Sequence, residues 1–262
     1  YNISENYKPD LIVLGHNNIL NGQTIDKIKS KFNTKFALWY EDHLIKGGPN
    51  AINNLNLIEK NHDLIDQYFV TTYPTAIKTK IPQKKMNFMP IPADENIENL
   101  EIYNSNDRYK DLFFALSHGV NFGKLKAKNI DDREMFLNNL IQKNKNFTFN
   151  ILGYASEQPK WNYQYYNEIA KCKMALNLSR GKPLKYASSN RISTLMANGI
   201  MTFIDIKTKY NDFFDDKEIG YYKNVNDEGI IKLEKEEQKR LKEKELRKLK
   251  AEEGRKLQEE RS

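Results

Sequence analysis

A single cysteine, Cys172, among 262 residues excludes an internal disulfide and a cysteine-rich zinc site. No apolar run approaches the ~18–20 residues of a membrane span. Tyr1, Asn2, Ile3, Ser4 and Glu5 carry neither the basic nor the apolar stretch of a secretion signal. An opening residue other than Met is expected of a fragment or a processed chain. The glycines lack the spacing of a dinucleotide fingerprint or a Walker loop, and neither a paired-His metal motif nor a nucleophile elbow is present. These absences predict a soluble, cytoplasmic protein without a resident metal.

What is abundant is charge, and it is unevenly spread. The formal net charge is +7, with 42 Lys/Arg against 35 Asp/Glu. Residues 232–262 hold 12 of the basic and 9 of the acidic side chains, so this short segment contributes +3. The rest of the chain has an ordinary balance, so the basic pI suits an enzyme of phosphorylated or anionic-membrane substrates as well as a nucleic-acid binder. The tail is rich in Glu, Lys, Leu and Arg, and predicts a charged helix. Leu233, Leu241, Leu246, Leu249 and Leu257 do not keep a heptad, so the pattern favours a solvated helix over a long coiled coil.

Ahead of the tail, short apolar runs alternate with amphipathic stretches. Strands are expected at residues 10–15, 35–40, 66–72 and 86–90, with a helix near 24–32. Residues 93–110 are polar and read as a linker. The alternation then restarts, with strands at 111–116, 147–154, 174–178 and 200–204. Helices are expected at 131–142, 163–171 and 190–198, the last closed by Gly199. The fold class is therefore α/β, with four segments: a first domain over 1–92, the linker, a second domain over 111–231, and the tail. In parallel sheets ligands bind beyond the carboxyl ends of the strands, so the residues just after each strand are the candidates for chemistry.

Three such places stand out. Residues 177–191 gather Ser179, Arg180, Gly181, Lys182, Lys185, Ser188, Ser189 and Arg191 around an expected helix start. Unpaired helix N–H groups with guanidinium forks make a pyrophosphate site, although a basic surface loop with a serine cap has the same composition. Ser117, His118 and Gly119 follow the first strand of the second domain. In the first domain His16 and Asp42 end neighbouring strands, where an imidazole and a carboxylate serve as a general base and its orienting partner, or merely cap loops. His16 is the expected base, and Asp42 either orients it or is itself the base.

The run Ala175–Asp205, with its Ser179-Arg180-Gly181, Arg191 and Gly199, resembles the donor segment of GT-B glycosyltransferases, in particular the bacterial spore-maturation-protein-like branch. Residues 8–16 and 111–119 resemble that family's leading strands, and the resemblance spans about residues 8–228. It implies two Rossmann-like domains facing a cleft, the amino-terminal one incomplete, with a nucleotide-sugar bound by the second. It implies metal-independent transfer to a glycan or lipid-linked acceptor in polysaccharide biosynthesis. No cofactor is needed beyond the nucleotide-sugar substrate, and no nucleic acid is expected. Peripheral association with the inner face of a membrane is a further expectation. Arg180, Lys185 and Arg191 match the positions that stabilise the leaving diphosphate. Thr194 stands where many relatives carry a Glu toward the ribose or sugar. That departure keeps a second reading alive, a catalytically silent module that binds nucleotide or glycan. A scaffold acting through the basic tail is a third.

Overall fold

The computed structural model describes residues 6–15, 20–46, 48, 50–116, 132–155, 157–178 and 183–222. The charged tail, residues 232–262, lies outside them. The α/β expectation is met. Two sheets form, one of order β1-β2-β3-β4 and one of order β6-β5-β7-β8-β9. The first holds β1 (Leu11–Gly15), β2 (Lys35–Tyr40), β3 (Gln67–Val70) and β4 (Met86–Phe88). All its neighbours are parallel. The second holds β5 (Lys110–Ala115), β6 (Phe149–Leu152), β7 (Cys172–Asn177), β8 (Met201–Asp205) and β9 (Gly220–Tyr222), parallel at β5–β6, β5–β7 and β8–β9.

Helices follow the strands. They are α1 (Gly22–Phe32), α2 (Ala51–Glu59), α3 (Asp132–Lys143), α4 (Tyr163–Ala170) and α5 (Asn190–Ala197). The Asn21 side chain starts α1 by accepting the Thr24 N–H at 2.9 Å, and Asn33 ends it in the left-handed conformation at φ 54°. Ile25 and Ile28 of α1 and Ile58 of α2 share one core with Leu14, Phe36, Leu38, Tyr40, Tyr68 and Val70. These strand residues recur every second position, as one face of a pleated sheet requires. On β1 the alternate residues Leu11 and Val13 stay 55% and 60% exposed.

The chain divides into two units. One takes residues 1–99, 177–198 and 207–210; the other takes 100–176, 199–206 and 211–262. The first sheet and α5 thus belong to one unit. In the second unit the chain's first strand, β5, is internal: β6 lies on one side of it and β7 on the other. This order reversal is the switch point beside which doubly wound sheets bind ligands. Gly153 closes β6 at φ +72°, and an added Cβ would run into the Leu116 carbonyl oxygen at the end of β5. Gly199, at φ +75°, follows the Asn198 C-cap of α5 against the Tyr103 ring. Within the polar stretch 93–110, Ile102 is fully buried, one apolar anchor among residues that otherwise bond their own turns.

Two elements escape the sequence reading. Helix α2 interleaves Asn53, Asn54 and Asn56 with Ile52, Leu55, Leu57 and Ile58, and its N-cap Asn50 makes no side-chain cap bond. Such a segment carries neither a start signal nor a helix-favouring composition. Strand β9 is three residues long, too short for alternation to show.

Carboxylates fasten the amino-terminal side of each sheet. Asp66 accepts the Phe36 N–H and the Lys29 ammonium, each at 2.8 Å, so its charge ties α1 to β2. Asp111 does the same in the second sheet, accepting from the Thr148 N–H at 2.8 Å and the Lys173 ammonium at 2.7 Å. Glu168 of α4 receives Lys171 at 2.9 Å, and Lys160 and Asn150 at 3.0 Å each. Burial alone would raise its pKa, but these donors outweigh burial and bring it down to about 2. A carboxylate held so low contributes stability above its unfolded value, and that contribution fades as pH falls toward 2. Glu168→Gln is expected to lower stability by about 1–3 kcal/mol at pH 7. The difference in melting temperature between it and the wild type should shrink steadily below pH 4.5. A pH-independent difference in thermal melts would show that the charge is not the source.

Candidate functional site at the carboxyl edge of the first sheet

His16, Ser117, His118, Gly119, Ser179, Arg180 and Gly181 lie outside the described residues. The chain nevertheless fixes which strand each follows: His16 follows β1, Ser117–Gly119 follow β5, and Ser179–Gly181 follow β7. Because β5 and β7 are hydrogen-bonded neighbours, both expected donor loops leave strands that flank the order reversal of the second sheet.

Asp42, Lys185, Ser189, Arg191 and Thr194 are described, and all five belong to the unit built on the first sheet. Ser189 caps α5, its Oγ accepting the Ile192 N–H at 3.4 Å. The cap leaves other first-turn N–H groups without an intrahelical partner, at the positive end of the helix dipole. Arg191 sits in that first turn and donates from Nη1 to the Leu178 carbonyl at 2.9 Å, so one corner of its guanidinium holds the end of β7's exit. Thr194 lies one turn on, its carbonyl accepting Asn198 Nδ2 at 2.8 Å.

What sets the place of this helix is a backbone clamp absent from the sequence reading. The Ile91 N–H donates to Ser188 Oγ at 2.9 Å, and Ser193 Oγ donates to the Ile91 carbonyl at 2.6 Å. Both polar groups of one residue just past β4 are thereby satisfied by serines flanking the start of α5. The only sequence signal was the density of serines at 188, 189 and 193, which capping alone would explain.

The turn before α5 is aromatic and cationic. The Lys185 ammonium lies 4.1 Å from the Tyr73 ring centre and 4.6 Å from that of Tyr186. The two rings meet edge to face at 4.9 Å, and Phe88 lies 5.4 Å from Tyr186. Cation–π contacts of this kind are worth ~0.5–2 kcal/mol each. Tyr186 adopts φ 56°, a left-handed conformation costly for a residue with a bulky side chain, and its N–H is fixed to the Thr208 carbonyl at 2.8 Å.

On the other side of the same sheet edge, Asp42 is exposed after β2. Burial, reinforced by Asp42, pushes the Tyr40 phenol up to about 12, so it stays protonated at neutral pH. Burial lowers the His43 pKa, with Asp42 acting in the opposite sense, and the imidazole is neutral near pH 7. Trp39, in register with Gly15 on β1, has a buried Nε1–H with no hydrogen-bond partner among the described residues. Cys172 is buried and its thiol is pushed up to about 12, which rules it out as a nucleophile. Among the described residues no group of three or more His, Cys, Asp or Glu could hold a metal ion. Among them, too, no helix is long and apolar enough to cross a membrane.

Comparison with known proteins bears on this segment. Residues 133–260 match the glycosyl transferase-like family model. The match takes in just under half the chain, including β6, β7, the Lys185 turn, α5, β8 and β9. A search of curated proteins finds no match. Among solved structures, the chain is similar to one assigned as a UDP-N-acetylglucosamine 2-epimerase from Listeria monocytogenes, at 10% identity and a TM-score of 0.45. That alignment covers 91% of this chain and 68% of the other. A likeness this distant transfers no residue role.

The clamp on Ile91 has a measurable consequence. Ser188→Ala and Ser193→Ala should each cost about 0.5–1.5 kcal/mol in urea unfolding. The double variant should deviate from additivity, because both serines hold the backbone of one residue. Strict additivity would mean that the two bonds act independently of one another.

Proposed function

We propose that the protein transfers a sugar from a nucleotide-diphosphate donor to a hydroxyl of a glycan or lipid-linked surface acceptor. The observation that carries this reading is the start of α5: a serine-capped helix N-terminus with Arg191 in its first turn and Lys185 just ahead. It lies within the range that matches a glycosyl transferase-like family. A diphosphate placed there meets the first turn of a helix, whose N–H groups have no partner within the helix itself, together with the helix dipole and two cations, all of which favour the leaving group more as its charge develops. In this reading Ser189, Arg191 and Lys185 hold the phosphates, with Arg180, Ser179 and Gly181 from the loop after β7. Ser117, His118 and Gly119, which follow β5 in the chain, are further donor-binding candidates. No metal is required, since fixed cations do the work a divalent ion would do.

The acceptor hydroxyl must lose its proton as it attacks the anomeric carbon if the reaction inverts. His16 follows β1 at the carboxyl edge of the sheet that also carries Asp42, and a neutral imidazole there accepts the proton. Asp42 orients the ring or, failing that, takes the proton itself. Membership of the spore-maturation-protein-like branch, a role in polysaccharide synthesis and a place at the inner membrane face extend this reading. Thr194 favours one alternative, a silent module that keeps donor binding without turnover, because a hydroxyl cannot accept two ribose hydrogen bonds as a carboxylate does.

Two outcomes test the reading. Arg191→Ala should weaken binding of a nucleoside diphosphate by about 1.5–3 kcal/mol while barely changing binding of the nucleoside, measured by calorimetry across the common bases. Equal losses for both ligands would move Arg191 away from the phosphates. His16→Ala should reduce turnover ~10²–10⁴-fold with donor affinity unchanged. Normal turnover would shift the base to Asp42 or His43, and donor binding without turnover in the wild type would favour the silent module.

A further inference from the structure

The Lys185 ammonium is held in an unusual way for a half-buried lysine. Among the described residues it forms no ion pair with a carboxylate. Its Nζ instead rests 4.1 Å and 4.6 Å from the centres of two tyrosine rings. Those rings come from separate parts of the chain. Tyr73 lies three residues past β3, at the start of a turn whose Pro74 is buried. Tyr186 lies in the turn before α5, and the T-shaped contact between the rings joins the two. Phe88 at the end of β4 backs Tyr186. The left-handed backbone of Tyr186, held by its bond to Thr208, turns the side chain toward Tyr73 and is maintained despite its steric cost.

A carboxylate in place of these rings would neutralise the lysine, and an incoming anion would have to displace it. Ring faces attract the cation without cancelling its charge, and they immobilise a four-carbon side chain that otherwise loses rotamer freedom on binding. The arrangement keeps a full positive charge, already positioned, six residues ahead of Arg191. We propose that Tyr73 and Tyr186 are positioning residues that hold the Lys185 ammonium for the donor diphosphate. This rests on the donor reading given above and adds to it the pair of side chains through which Lys185 acts.

The test uses inorganic pyrophosphate as the probe, with the full chain titrated by calorimetry and folding checked by thermal melting. Lys185→Met should weaken pyrophosphate binding about tenfold or more. Tyr73→Leu should weaken it ~3–10-fold, whereas Tyr73→Phe, which keeps the ring face, should stay within about twofold of wild type. In the Lys185→Met background, Tyr73→Leu should have no further effect. A purely structural role for Tyr73 would give the same loss in both backgrounds, and that result overturns the proposal. So does wild-type affinity in a folded Tyr73→Leu. Should Tyr73→Leu not fold, Tyr186→Phe and Tyr186→Leu probe the same contact with the same expectations. Pyrophosphate binding that Arg191→Ala abolishes and Lys185→Met leaves intact would overturn this inference and spare the donor reading. A wild type that binds no pyrophosphate would overturn both.

Discussion

One residue, Ile91, holds the start of α5 through both of its backbone polar groups. Its N–H and carbonyl are taken up by Ser188 and Ser193, on either side of the helix start that presents Arg191. A helix N-terminus is useful to an anion only if its N–H groups point at a fixed place, and a short helix such as α5 has little of its own to fix it. Two hydrogen bonds to one residue just beyond β4 define both the position and the rotation of that first turn. The Lys185 turn, the Tyr186 backbone and the Arg191 bond to Leu178 all follow from where α5 begins.

The same economy divides the two edges of the sheets. At the amino-terminal side, Asp66 and Asp111 bind a backbone N–H and a lysine each, so charge there is consumed in holding strands to one another. At the carboxyl side of the first sheet, the Lys185 ammonium rests on two tyrosine rings, and Arg191 donates to the Leu178 carbonyl.

Much of the scaffold was legible from the residues. The runs at Leu11–Gly15 and Lys35–Tyr40 are strands because β-branched and aromatic residues crowd between polar turns, and α5 was marked by Ser189 before it and Gly199 after it. Helix α2 was not legible, since its asparagines hide the apolar face that Leu55 and Ile58 form only in three dimensions. Within the site, composition pointed to the stretch around Ser189 and Arg191. It could not show that Ser188 serves Ile91, 97 residues away, nor that Lys185 sits on Tyr73. Those pairings depend on the sheet bringing distant segments together, and no local pattern encodes them. The lowered pKa of His43 has a related origin, since it comes from burial, which sequence does not display.

The central claim is that the first turn of α5 receives a diphosphate. The most direct measurement is backbone amide mapping by NMR as a nucleoside diphosphate is titrated into isotope-labelled protein. The amides of Asn190, Arg191 and Ile192 should shift most, together with those flanking Lys185, and should move far less with the matching nucleoside. Shifts confined to other segments, with the α5 amides unchanged at saturation, would contradict the account.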